Sequence, residues 1–203
     1  MILTINPQNP QPRLIARVVQ VLADGGVVAY PTDTVYGLGC DIFNKRAIKR
    51  VHQIKRQPES KPFSFICPDL KDVSQYARVT NYAYKTLRRL LPGPYTFVLE
   101  GSREVPKMML TRRKTAGIRV PDHPIPLALA MGLGHPLLST SATGEDGRML
   151  LHAWEVEDLM GNQLDLIVDG GPVPGKPSSV ISLVDDTPEI LREGAGPVEE
   201  FRG

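Results

Sequence analysis

Gly25-Gly26-Val27-Val28-Ala29-Tyr30-Pro31-Thr32-Asp33-Thr34-Val35-Tyr36-Gly37-Leu38-Gly39 is the stretch on which the fold turns. Two glycines close what precedes them, an unbroken apolar run follows, and Pro31 then opens a segment of hydroxyls, a carboxylate and glycines. A short apolar run between turn signals reads as a buried strand, 27–30, with 31–39 as the loop after it. Upstream, Leu14, Ile15, Val18, Val19 and Leu22 recur at helical spacing, so residues 13–24 predict a helix that Gly25-Gly26 terminates. Helix, buried strand and polar loop make the unit of an α/β sheet, which carries its ligands in the loops at strand ends.

The same alternation continues outward. Helical patterning covers 45–55, 71–77 and 81–90, the last broken by Pro92-Gly93-Pro94, and it returns at 124–131 and 153–159. Strand patterning covers 63–67, 95–99, 116–120, 137–140, 166–168, 180–184 and 189–192. The final strands follow one another without helices, so the sheet is expected to be mixed. With no internal repeat and no low-complexity linker, one domain spanning 1–203 is expected.

Bulk properties narrow the class. A chain of 203 residues with 41% hydrophobic and 23% charged residues is globular rather than disordered. A net charge of +2 is too mild to announce a nucleic-acid binder, so any basic surface must come from patterning. Cys40 and Cys67 form no CxxC pair, and two buried reduced thiols are expected over a disulfide. The N-terminal segment has neither the basic nor the apolar region of a signal peptide, and no apolar run approaches the ~20 residues that span a bilayer. A cytoplasmic protein without membrane partners is expected.

The common enzyme signatures fail on chemistry. Gly170-x-x-x-x-Gly175-Lys176 has Pro177 where a phosphate-binding loop needs Ser or Thr, and strand patterning follows where a helix should begin. His52, His123, His135 and His152 have no metal-ligand spacing, so no metal site is expected. A Gly-x-Ser-x-Gly elbow is absent. What remains is a set of polar clusters at strand ends: 31–39, Lys55 with Lys61, Thr115 to Pro121, Ser139-Thr140-Ser141-Ala142-Thr143, and Pro177-Ser178-Ser179. Hydroxyls and cations dominate, an inventory suited to an anionic ligand rich in oxygen, although each cluster alone also suits local turn hydrogen bonds.

The helix at 45–55 sharpens this. At roughly 100° per residue, Lys45, Arg46, Lys49, Arg50 and Arg56 share one arc while Ala47, Ile48, Val51 and Ile54 share the other, and Lys55 falls on the apolar side. The basic arc reads either as a solvated face or as a surface for RNA phosphates. An inward ammonium at Lys55 requires a partner or an anionic ligand, unless the helix frays and the side chain reaches out to water.

At this point the chain resembles the YrdC-like superfamily of threonylcarbamoyl-AMP synthases. Residues 31–39 match its P-T-[DE]-T-x-Y-G-L-G signature. The order continues through Lys55 and Pro58, Pro92-Gly93-Pro94-Tyr95-Thr96-Phe97, Ile118-Arg119-Val120-Pro121, Ser139-Thr140-Ser141-Ala142, Asp169-Gly170-Gly171, Pro177-Ser178-Ser179 and Leu191-Arg192-Glu193-Gly194. The resemblance implies an open, twisted mixed sheet with flanking helices around a large concave, positive cavity, in the short form without a C-terminal extension. It further implies a nucleotidyltransferase that joins L-threonine, bicarbonate and ATP, with Mg²⁺, into threonylcarbamoyl-AMP and pyrophosphate for tRNA adenosine modification. By the resemblance, Thr34, Arg119, Ser139 and Ser179 hold threonine. Lys55, Lys61, Thr115, Ser141 and Arg192 hold ATP, with Lys55 the catalytic cation.

Two positions depart from the synthase pattern. Lys55-Arg56-Gln57-Pro58 has Gln57 where Lys-x-Arg-Pro is usual, and Ser141-Ala142-Thr143 has Thr143 where Ser-x-Asn is usual. These departures, with the opening Asn6-Pro7-Gln8-Asn9-Pro10-Gln11, make the chain similar to the YciO-like branch. Two functions follow as expectations: an ATP-using synthase of weak or altered activity, or a double-stranded RNA or tRNA binder. In the second, Lys45, Arg46, Lys49 and Arg50 contact RNA, with Lys85, Arg88-Arg89 and Arg112-Arg113-Lys114 in support.

Overall fold

The computed structural model describes residues 1–58, 60 and 63–202. In chain order the elements are β1 (Ile2–Thr4), α1 (Pro12–Ala23), β2 (Val28–Tyr30), β3 (Gly37–Gly39), α2 (Lys45–Ile54), β4 (Ser64–Ile66), α3 (Leu70–Tyr76), β5 (Ala77–Arg78) and α4 (Asn81–Leu90). Then come β6 (Tyr95–Gly101), β7 (Thr115–Arg119), α5 (Pro124–Leu133), β8 (Leu137–Ser141), α6 (Ala153–Met160), β9 (Leu166–Asp169), β10 (Ser179–Ser182) and β11 (Glu189–Arg192).

The helices start and stop where local chemistry requires. Asn44, Asp69 and Thr80 each accept a backbone amide from the first turn of α2, α3 and α4, satisfying donors that a helix leaves open. Pro12 and Pro124 sit in the first turns of α1 and α5, where a missing N–H costs nothing. Gly134, at φ 74°, ends α5 in the left-handed conformation that favours glycine.

The strands form one mixed sheet in the order β1-β9-β2-β3-β8-β4-β7-β6-β10-β11, with β5 beside β6. β9 is parallel to both β1 and β2, β4 is parallel to β7, and β6 is parallel to β10. The remaining neighbours are antiparallel. This is the expected α/β mixed sheet with flanking helices.

Strand alternation sorts the core into two layers. Val28, Tyr30, Ile66, Leu137, Leu166 and Val168 pack with Ile15, Val18 and Leu22 of α1 and Ile125 and Leu129 of α5. Their strand neighbours Ala29, Phe65, Leu138 and Ile167 point the other way, into a larger core with α2, α4 and α6. β6, β7 and β10 also give that larger core Phe97, Leu99, Ala116, Ile118 and Ile181. Their opposite face gives nothing to the layer under α1 and α5. One face of the sheet is therefore covered from β9 to β3 and over Leu137 of β8 and Ile66 of β4, and left bare from Ser139 and Ser64 across to β11. That bare half makes the functional cavity.

Three short strands escape the sequence reading. Residues 37–39 are expected as loop, yet they form β3, paired with β2 and β8. Gly-Leu-Gly carries no strand propensity; the pairing needs glycine because a Cβ at Gly39 would run into the Tyr30 ring and the Leu138 carbonyl. β1 is found only through its parallel register with β9, and Ala77, expected to end a helix, opens β5 against Gly101. Cys40 and Cys67 are free and buried, and burial pushes both thiols upward. Among the described residues no helix is long and apolar enough to cross a membrane.

Candidate functional site

The bare half of the sheet floors a cavity of about 570 Å³. Because side chains alternate, every second residue of adjacent strands faces it: Ser139 and Ser141 of β8, Ser64 of β4, Thr115, Gly117 and Arg119 of β7, Thr96 and Val98 of β6, and Val180 of β10. Arg192, opposite Val180 on β11, closes one end. Lys55, in the C-terminal cap of α2, closes the other with Gln57 and Thr143. From β8 to β11 the floor runs across six neighbouring strands, roughly 24 Å at the usual strand spacing. At its centre Gly117 leaves the surface level: a Cβ there would press on the Ser64 Cβ and Thr96 Cγ2 at 3.2 Å each.

Arg119 is the most buried cation of the wall. Its side chain is 8% exposed and its Nη2 donates to Asp33 Oδ1 at 2.5 Å and to Thr34 Oγ1 at 3.2 Å. Asp33 is itself held, its Oδ2 accepting from the Asp122 amide at 3.1 Å. Arg119 Nε is buried with no hydrogen-bond partner among the described residues. Burial lowers the Arg119 pKa, and the Asp33 carboxylate opposes that shift. The guanidinium stays charged. An orphaned donor on a desolvated guanidinium is costly alone and favourable to a ligand that accepts from it.

The two ends differ in how they hold their charge. Lys55 Nζ donates to the Ser141 carbonyl at 2.8 Å and to Thr143 Oγ1 at 2.5 Å. Arg192 donates from Nε and Nη2 to the Ser178 carbonyl at 3.0 and 2.8 Å and to Ser178 Oγ at 3.1 Å. Burial, and then the charge of Arg119, lower the Arg192 pKa, so the two guanidiniums feel one another across the cavity. Among the described lining residues none is acidic.

The structure thus brings Lys55, Thr115, Arg119, Ser139, Ser141 and Arg192 to one cavity. Thr34 is fully buried and joins them through its bond to Arg119. Ser179 stands apart from the expected set in the structure. Its hydroxyl turns away to the backbone of Gly194 and Gly196, and the neighbouring Ser178 lines the cavity instead. Lys61 lies outside the described residues. Lys45, Arg46 and Lys49 are exposed on α2, away from the cavity lining. Arg50, on the same arc, pairs with Asp165 at 2.6 Å and donates to the Gln163 carbonyl. Ser64 and Thr111 are lining residues that sequence reasoning missed, while Thr96 and Gly117 stand in stretches it singled out without a role of their own. Among the described residues no group of three acidic, His or Cys side chains could hold a metal.

The fold is thus a mixed α/β sheet with one open face lined by hydroxyls and cations, and known proteins share it. The Sua5/YciO/YrdC family, described as "Telomere recombination", matches residues 20–194, and the chain belongs to it. Within that family the chain stands with the YciO branch. It is 44% identical to YciO of Escherichia coli K12 over 97% of each chain, and the crystal structure of E. coli YciO superposes with a TM-score of 0.94 over 99% of this chain and 98% of that one. The threonylcarbamoyl-AMP synthase of Vibrio vulnificus YJ016 is 36% identical over 89% of this chain and 98% of its own. Sua5 of P. abyssi complexed with L-threonine has a TM-score of 0.91 at 29% identity, covering 98% of this chain and 59% of that one.

Proposed function

We propose that this protein is a nucleotidyltransferase that makes threonylcarbamoyl-AMP and pyrophosphate from ATP, L-threonine and bicarbonate, feeding tRNA adenosine modification in the cytoplasm. The observation that carries the reading is the cavity wall: Lys55, Arg119 and Arg192 with a run of hydroxyls, and no carboxylate among the described lining residues. Such a wall attracts a triphosphate and a small carboxylate, and among the described residues it offers no carboxylate base. Similarity to the V. vulnificus synthase and to threonine-bound Sua5 supports the same substrates.

In this reading the amino group of threonine adds bicarbonate carbon with loss of water, giving a carbamate. A carbamate oxygen attacks the α-phosphorus of ATP, and the bond to the β-phosphate oxygen breaks with release of pyrophosphate. Arg119, prepositioned by Asp33, offers its orphaned Nε and remaining donors to the threonine carboxylate. Lys55, Thr115 and Ser141 hold the nucleotide from one side and Arg192 from the other, so in-line geometry comes from placement rather than from a covalent intermediate. Magnesium bound to the triphosphate would neutralise phosphate charge, and lining hydroxyls such as Thr115 and Ser141 would lie against it. Thr143 holds Lys55 with a neutral hydroxyl, and Gln57 adds no charge. Both features weaken the grip on phosphate and support a slow activity.

Calorimetry with ATP and Mg²⁺, with and without L-threonine and bicarbonate, tests the reading, together with an assay for pyrophosphate. Threonine- and bicarbonate-dependent pyrophosphate release supports it. ATP binding without such release means a changed reaction, and no ATP binding removes the reading altogether.

RNA binding is a second reading, favoured less by the α2 arc than by the segment around Arg112-Arg113-Lys114, which the sequence offers in support. On α2 Arg50 is taken up by Asp165, and just beyond it Arg56 by Glu145. In the excursion between β6 and β7, Arg103, Lys107, Arg112, Arg113 and Lys114 are exposed and make no ion pair among the described residues, with Glu104 the single acidic neighbour in 102–114. Duplex RNA affinity should fall linearly with log salt. Charge reversal at Arg112 and Arg113 should lower it, and an unchanged affinity removes this reading.

A further inference from the structure

Ser179 is fully buried at the start of β10. Its Oγ donates to the Gly196 carbonyl at 2.5 Å and accepts from the Gly194 amide at 2.9 Å. One hydroxyl thereby closes the turn 194–196 that directly follows β11. The turn lies hard against the segment entering β10: the Ala195 amide donates to the Pro177 carbonyl at 2.8 Å. A Cβ on Gly194 would collide with the Pro177 carbonyl oxygen and the Ser178 carbonyl group. Beyond the turn the chain stays anchored. Val198 and Phe201 are buried, Tyr95 Oη donates to the Pro197 carbonyl at 3.0 Å, and Arg89 pairs with Glu200.

Arg192 stands two residues before this turn, on a sheet-edge strand whose one hydrogen-bonded neighbour is β10. Glu189, Leu191 and Arg192 are exposed, so packing within β11 does little to aim a long guanidinium side chain. What aims it is Ser178, which receives three hydrogen bonds from Arg192 and shares another with Thr96 Oγ1 at 2.9 Å. β10–β11 pairing sets Arg192 opposite Val180, and the chain turning back over 177–178 after β11 keeps it against Ser178. The Ser179 hydroxyl bridges that turn.

We propose that Ser179 is a positioning residue: acting through the 194–196 turn, it holds Arg192 against Ser178 and presets the cation at the β11 end of the cavity for the phosphate-bearing part of the ligand. This rests on the reading of the cavity as a nucleotide site. It assigns Ser179 to the nucleotide and away from the threonine pocket, whose Arg119 and Ser139 stand on β7 and β8 rather than at the β11 edge. A side chain held before binding loses less entropy when the ligand arrives, so the effect of Ser179 appears as affinity for phosphate.

The test titrates ATP with Mg²⁺, and separately L-threonine, into the full chain and its Ser179→Ala, Arg192→Ala, doubly substituted and Tyr95→Phe forms. Arg192→Ala should weaken ATP roughly tenfold to hundredfold, as loss of a charged hydrogen bond does. Ser179→Ala should weaken it about tenfold by the same route, and the double variant should be no weaker than Arg192→Ala alone, because both act on one contact. Threonine affinity should stay within about twofold throughout, below the smallest loss expected of a direct hydrogen bond. Tyr95→Phe removes the bond to Pro197 and leaves the ring packed on Gly196 in place. It should weaken ATP about twofold even if Ser179→Ala folds poorly by circular dichroism, a fraction of one hydrogen bond. Loss of threonine binding with ATP binding intact in Ser179→Ala overturns the proposal, as do multiplying effects of Ser179→Ala and Arg192→Ala. If wild type binds ATP, Arg192→Ala weakens it and neither Ser179→Ala nor Tyr95→Phe does, the positioning role fails while the nucleotide reading stands. If wild type binds no ATP, both fall.

Discussion

Arg119 and Arg50 are both arginines paired with an aspartate far away in sequence, yet they belong to different kinds of region. The Arg119–Asp33 pair sits behind the cavity wall with side chains 8% and 10% exposed, whereas the Arg50–Asp165 pair on the outer arc of α2 is 37% and 38% exposed. Water screens the second pair and stays out of the first. The difference teaches that the number of cations along a helix says little about a ligand site. What counts is whether a charge is desolvated, what already holds it, and which donors are left over.

The sharpest way to break the comparison is Asp33→Asn, which keeps the shape and removes the charge opposite Arg119. Leaving a buried cation uncompensated costs about 3–5 kcal/mol, and urea unfolding should register most of that. A loss below about 1 kcal/mol would put the pair in the class of exposed ones. Next in size is the paired swap Gln57→Arg with Thr143→Asn. Thr143 accepts from Lys55 and Gln57 lines the cavity, so the swap adds one cation and one amide donor at the Lys55 end. Threonine-dependent pyrophosphate release should rise roughly tenfold or more. A flat rate locates the deficit elsewhere in the wall.

Glu155→Gln probes a smaller effect with a defined pH signature. Glu155 is 6% exposed and accepts from the Leu151 and His152 amides and from Arg148. The Leu151 amide is the largest influence holding its pKa below the ordinary glutamate value. A carboxyl depressed on folding stabilises the protein above its unfolded pKa and loses that contribution as pH falls through the folded one. The variant should therefore be less stable by about 1–2 kcal/mol at neutral pH, with the gap closing as pH drops below the usual carboxylate range. Smallest is Arg50→Ala, expected to change stability by less than about 1 kcal/mol and to lose even that in high salt. A larger loss would mean that the outer arc is structural.

Much of this was legible before any coordinates. The helical period of 45–54 separated Lys55 from Arg56, and the structure agrees: Lys55 reaches Ser141 and Thr143 while Arg56 is exposed and pairs with Glu145. The hydroxyl and cation clusters at strand ends did converge. Illegible were β3, whose Gly-Leu-Gly has no local propensity, and the choice between Ser178 and Ser179. Side chains in a strand alternate, so a shift of one residue exchanges the cavity for the core. Only pairing with β6 and β11 decides that register.

The amino-acid sequence by itself determined the order of helices and strands, the mixed α/β class and the inventory of side chains that could meet an anionic ligand. Periodicity and turn chemistry are encoded within windows of about ten residues and need no distant partner. Tertiary structure alone decided that α1 and α5 cover only half of one sheet face, that Asp33 holds Arg119 across 86 residues, and that Asp165 quiets Arg50 across 115. Those outcomes depend on which distant groups are desolvated together, and local pattern carries no record of it.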